Sequence, residues 1–183
     1  MEEKTFTQED IASFVSIFKE IRSSLNSYMK DREFIMTNSQ IFSFLMYAPI
    51  ALGIASDREV DENEIRMLEK ISKNIDVNKI VNIDLMTVLS VVPETENAML
   101  NEEFNMRIDS EILYLARHID RYESSIINAL KLFLKLDKSP ESETSLTKTF
   151  NKWFDYVIEK NAGKNKDLEL KNILSYKTRL GIA

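Results

Sequence analysis

The sequence predicts an all-α fold, and three observations carry that prediction. Only 3 Gly and 3 Pro occur among 183 residues, so the residues that punctuate sheets and tight turns are scarce. Leu, Lys, Glu and Met, which lose little rotamer freedom in a helix, are abundant instead. Apolar residues recur at three- and four-residue spacing along most of the chain. One domain over 1–183 with about seven helices is expected, the last being a C-terminal helix or tail from about residue 164. A chain of this length buries a core of its own.

The elements follow in order. Thr7-Gln-Glu-Asp10 has the form of a capping arrangement, a hydroxyl residue leading and an acid three positions on. Behind it Ile11, Phe14, Val15, Phe18, Ile21 and Leu25 make one apolar stripe on a helix to about Lys30. Thr37, Asn38 and Ser39 supply a turn and an N-cap for a second helix ending near Ser56. Pro49 inside that helix frees the carbonyl of Leu45 and predicts a kink.

Asp61-Glu-Asn-Glu64 is again an N-cap with an acid at N3, followed by the stripe Ile65, Leu68, Ile71 and, less regularly, Ile75. A short helix is expected from Asn78 to Val92, stopped by Pro93. From Thr95 the pattern resumes, with a break expected near Asp109-Ser110, and runs on to Leu136. Ser139-Pro140-Glu141 reads as the next helix start, with Ser as cap and Pro at the first helical position. That helix turns Leu146, Phe150, Trp153, Phe154 and Val157 inward and stops near Gly163. The segment from Asn165 to Ala183 reads as one more helix packed on the body.

Charge and composition exclude several functions. The net charge of -6 argues against nucleic-acid binding, which needs a basic face. There is no Cys, hence no disulfide, thiolate metal site or cysteine nucleophile. The acidic start M-E-E-K-T-F-T-Q-E-D is not a signal peptide. Ile41–Ala55 is apolar but shorter than the roughly 20 residues of a spanning helix, and Ser43, Pro49 and Gly53 interrupt it. A buried core helix in a cytoplasmic protein is the expectation.

The chemistry-bearing stretch is Ile50–Glu64, I-A-L-G-I-A-S-D-R-E-V-D-E-N-E. An apolar helix stops in a turn holding Asp57, Glu59, Asp61, Glu62 and Glu64 around Val60. Crowded carboxylates repel one another, and a hard divalent cation relieves that by taking their oxygens as ligands. An ordinary reading is equally simple: Asp61 caps a helix while Glu62 and Glu64 sit well against its dipole. Both readings stand on these residues. An EF-hand does not, because its sixth position would be Glu62 instead of Gly and its twelfth Leu68 instead of Glu.

Ala55-Ser56-Asp57-Arg58-Glu59-Val60-Asp61-Glu62-Asn63-Glu64 resembles the A-x-D-G-E-[VI]-D-x-x-E motif of the tellurite-resistance TerB-like family. The match falls on Ala55, Asp57, Glu59, Val60, Asp61 and Glu64. Over Phe42–Ile75 the flanking helices fit too, and elsewhere the likeness is architectural. The resemblance implies a helical bundle with internal pseudo-symmetry and an acidic metal-binding patch. It also implies a bacterial stress-response or membrane-linked association role without established catalysis.

The family's Gly is Arg58 here. Its guanidinium is expected to pair internally with Glu59 or Glu62 and weaken a metal site. The ligands expected are Asp57, Asp61 and Glu64 for a calcium- or magnesium-like ion, with Asp137 and Glu141 as a second contribution. Asp137 and Ser139-Pro-Glu-Ser-Glu143 echo the first hairpin about 80 residues on. The echo suggests two pseudo-symmetric hairpins, and chance similarity among helices would also produce it.

No other motif competes. His118 is the only histidine, so a zinc site is not expected. Three Gly residues offer no phosphate loop. Phe42, Phe44, Tyr47, Trp153, Phe154 and Tyr156 read as core and rim. Lys164, Lys166, Lys171, Lys177 and Arg179, interspersed with Asp167 and Glu169, read as a solvated helix face with no specific membrane signal. The functional expectation is a non-enzymatic protein that associates with a protein partner or itself. A plain interaction module without metal, and less favourably a carboxylate-metal enzyme, are the alternatives.

Overall fold

A computed structural model of the chain describes residues 7–74, 101–137, 145–160 and 165–183. Seven α-helices and no strand are present among them: α1 (Gln8–Arg32), α2 (Asn38–Ile54), α3 (Glu62–Asn74), α4 (Asn101–Arg117), α5 (Ile119–Leu134), α6 (Leu146–Lys160) and α7 (Lys166–Leu180). The all-α expectation is met. The expected helix Asn78–Val92, the restart at Thr95, the cap Ser139-Pro140-Glu141 and the stop at Gly163 lie outside the described residues.

Local chemistry starts the first two helices as their sequences predict. Thr7 Oγ1 accepts from the Asp10 N–H at 3.1 Å, and Asp10 Oδ2 accepts from the Thr7 N–H at 3.0 Å. Thr37 and Gln40 repeat that reciprocal cap on α2 at 3.1 and 2.8 Å. Each exchange satisfies two of the donors that a helix start leaves without a partner.

Helix α2 is apolar all round because it runs through the middle of the bundle. Phe42, Phe44, Leu45, Met46, Ala48, Ile50, Ala51 and Leu52 are all buried. It packs on α4, α5, α6 and α7, and it continues as helix through Pro49. The stretch Gln40–Asp57 is long and apolar enough to cross a membrane, but 89% of it is buried inside the fold. It is the core helix that its interrupted composition predicts.

The chain direction in the bundle is set by named contacts. Ser24 on α1 meets Asn128 on α5, while Tyr28 meets Tyr122 with ring centroids 5.2 Å apart. Later residues of α1 therefore meet earlier residues of α5, and the two run antiparallel. Phe42 near the start of α2 packs on Phe133 near the end of α5 at 5.0 Å, edge to face. So α2 and α5 are antiparallel as well.

At one end of the α1–α5 pair a polar network is built into the core. Glu111 on α4 is fully buried, and Arg32 reaches it with two hydrogen bonds of 2.8 and 2.9 Å. The Tyr28 hydroxyl donates to the same carboxylate at 2.8 Å. Burial, with the Glu111 charge beside it, pushes the Tyr28 hydroxyl far above its ordinary range and keeps it a donor. Arg32 also lies 3.9 Å over the Tyr114 ring. A buried carboxylate held by a forked guanidinium and a phenol is satisfied in the way its burial requires.

One boundary differs from the sequence reading. Helix α4 runs unbroken through Asp109-Ser110, and the break falls at His118, whose φ of -119° and ψ of 27° are not helical. The exposed His118 ring stacks on Tyr114 at 4.1 Å, and its Nδ1 lies 2.9 Å from the Tyr114 carbonyl oxygen. Helix α6 begins at Leu146 with Ser145 as cap. Ser145 Oγ accepts from the Lys148 N–H at 3.1 Å.

Candidate functional site

The acidic hairpin forms where α2 ends. Its last turn tightens into a 3-10 turn, Ala55–Asp57, and the next residue, Arg58, takes a left-handed φ of 69°. That conformation reverses the chain so that α3 can start at Glu62. Asp57 Oδ1 accepts from the Glu59 N–H at 3.0 Å and closes a local turn. Asp61 Oδ1 accepts from the Glu64 N–H at 2.9 Å, and Glu64 Oε2 accepts from the Asp61 N–H at 2.8 Å. Asp61 and Glu64 are therefore a capping box, as the spacing predicts.

Glu64 differs from its neighbours in depth. It is 4% exposed, whereas Glu59, Asp61 and Glu62 lie at the surface. Burial pushes its carboxyl up to about 7. The N–H of Asp61 pulls the other way, and the negative charges of Asp61, Asp57 and Glu169 push it up further. Glu169 belongs to α7, is 3% exposed, and comes from the far end of the chain. Asn172, one turn on, donates to the Ser56 carbonyl and fixes α7 against the end of α2.

Arg58 does not pair with Glu59 or Glu62, and that expectation is corrected. Its guanidinium reaches Asp120 at 3.0 Å and Glu123 at 2.8 Å, both on α5. Glu62 pairs instead with Arg66 one turn along α3, at 3.5 Å. Glu123 is a hub: Arg179 reaches it at 2.6 Å and the Tyr176 hydroxyl at 3.1 Å. Burial alone would raise Glu123, but the donors Arg179, Arg58 and Tyr176 outweigh it and hold its carboxyl below the usual range. The ionic junction thus ties the hairpin to α5 and α7.

Asp137, expected as part of a second contribution to the site, does not reach the hairpin. Glu123, at the start of α5, is beside the hairpin, whereas Asp137 lies beyond the other end of that helix. Eleven residues of helix separate Glu123 from Leu134, about 16 Å at 1.5 Å per residue, and Asp137 follows three residues later. Asp137 is engaged where it stands: its Oδ2 accepts from both the N–H and the hydroxyl of Thr147 at 3.1 Å, fastening the start of α6. Glu141 lies outside the described residues. Among the described residues, Arg58 of the first hairpin and Asp137 of the second therefore stand at opposite ends of α5.

Glu123, Asp120 and Tyr176 carry no signal in the sequence reading, whereas Arg179 and Glu169 read there as part of a solvated helix face, and Glu169 is instead buried. Glu169 did carry a signal, since it falls in register with Ile173, Tyr176 and Leu180 on the buried stripe of α7. A carboxylate on an apolar stripe is the mark of a buried charge. Among the described residues, no group of three or more acidic or histidine side chains is drawn together in a way that could hold a metal ion. A scan against protein-family models and searches of curated proteins and solved structures find no match to this chain.

Proposed function

We propose that this chain is a non-enzymatic, TerB-like helical protein that acts by association with a protein partner or a second copy of itself. The observation that carries the reading is the outer side of α7. There Leu170 and Leu174, one turn apart on the same face, are 44 and 50% exposed, an apolar pair that water does not favour. The Asp57 turn, the Asp61–Glu64 capping box and the Glu62–Arg66 pair give four of the hairpin acids structural work. A bacterial stress-response or membrane-linked role rests on the motif resemblance alone, and a cytoplasmic location on the acidic N-terminus and the lack of Cys.

Light scattering coupled to size exclusion, run over a range of protein concentrations, tests this reading. Self-association is expected, with Leu170→Lys plus Leu174→Lys returning the protein to a monomer. A strict monomer at every concentration would overturn the second-copy form and leave a different protein as the partner.

A second reading is favoured by Glu64: a buried carboxylate amid the charges of Asp57, Asp61 and Glu169 would be relieved by a divalent cation. A carboxylate accepts at both oxygens, so the caps leave that chemistry open to Asp57 and Asp61. The test is a thermal melt of metal-stripped protein against calcium, magnesium, manganese and zinc. A saturable rise for one ion, lost in Asp57→Ala plus Asp61→Ala, is expected. A flat response at millimolar ion, with the fold intact, removes the cation from the function.

A further inference from the structure

We draw no further inference here: the strongest candidate, the open groove along α1 lined by Arg22, Met29, Lys30, Phe34 and Ile35, carries nothing, because Arg22 is already committed to the Met36 carbonyl and Asn38 and nothing in the structure shows what covers the groove.

Discussion

Arg58 donates from Nη2 to Glu123 Oε2 at 2.8 Å, and its own backbone is left-handed at a φ of 69°. The two facts belong together. The turn after α2 needs a left-handed residue, and an L side chain at that position costs about 1 kcal/mol or more. The guanidinium recovers part of that cost by bridging the hairpin to α5. It is 42% exposed, so solvent screens the pair and its contribution stays near the surface range of about 0 to 1 kcal/mol.

The first prediction separates backbone from side chain. Arg58→Ala keeps the left-handed strain and loses the bridge, whereas Arg58→Gly loses the bridge and relieves the strain. Urea denaturation should therefore find the Gly variant more stable than the Ala variant by about 1 kcal/mol. Equal stability of the two would mean that the turn does not depend on that φ.

A pH dependence follows from Glu64. Its carboxyl is raised from 4.5 to about 7 in the fold, so the folded state holds the proton more tightly than the unfolded chain. The stabilisation is fully present below about pH 4.5 and is lost as the pH climbs through 7. Glu64→Gln can still accept the Asp61 N–H but carries no charge. Against wild type it should be little changed at pH 4.5 and more stable at pH 8, by up to about 3 kcal/mol. Denaturation midpoints of both proteins at the two pH values check this. A parallel shift at both would assign the effect to packing.

Gly53 sets the distance between α2 and α6. A Cβ built there would lie 3.0 Å from Val157 Cγ2 and 3.1 Å from Cγ1, and Val157 is fully buried. Ala in mid-helix is favoured over Gly by up to about 1 kcal/mol, but overpacking a filled core costs about 1 to 3 kcal/mol. Gly53→Ala should destabilise by about 1 kcal/mol net in the wild-type background. In a Val157→Ala background the same change should be neutral or stabilising, because the clash is gone. A double-mutant cycle with no coupling would show that the helices separate freely at this point.

The parts of the site that the sequence carries are those built from near neighbours. The Asp61–Glu64 box, the caps at Thr7 and Thr37 and the apolar stripe Phe14, Phe18, Ile21 and Leu25 arise from three- and four-residue spacing. A helix imposes that spacing wherever it forms. The break at His118 escaped because His is a tolerable helix residue and no Gly or Pro marks the spot. The start signal Ser139-Pro140 lies outside the described residues, and within them α6 takes Ser145 as its cap.

By itself the sequence determined the all-α class, the caps at Thr7 and Thr37 and the acidic hairpin between α2 and α3, since each follows from residues within one or two turns of each other. Tertiary structure alone decided the rest. Antiparallel packing of α2 on α5 put Glu123 beside Arg58 and carried Asp137 to the opposite end. Docking of α7 on the end of α2 brought Glu169 into the field of Glu64. The physical reason is range: capping and periodicity act along the chain over a few residues. The charge around a buried carboxylate depends instead on which distant helices the core forces together.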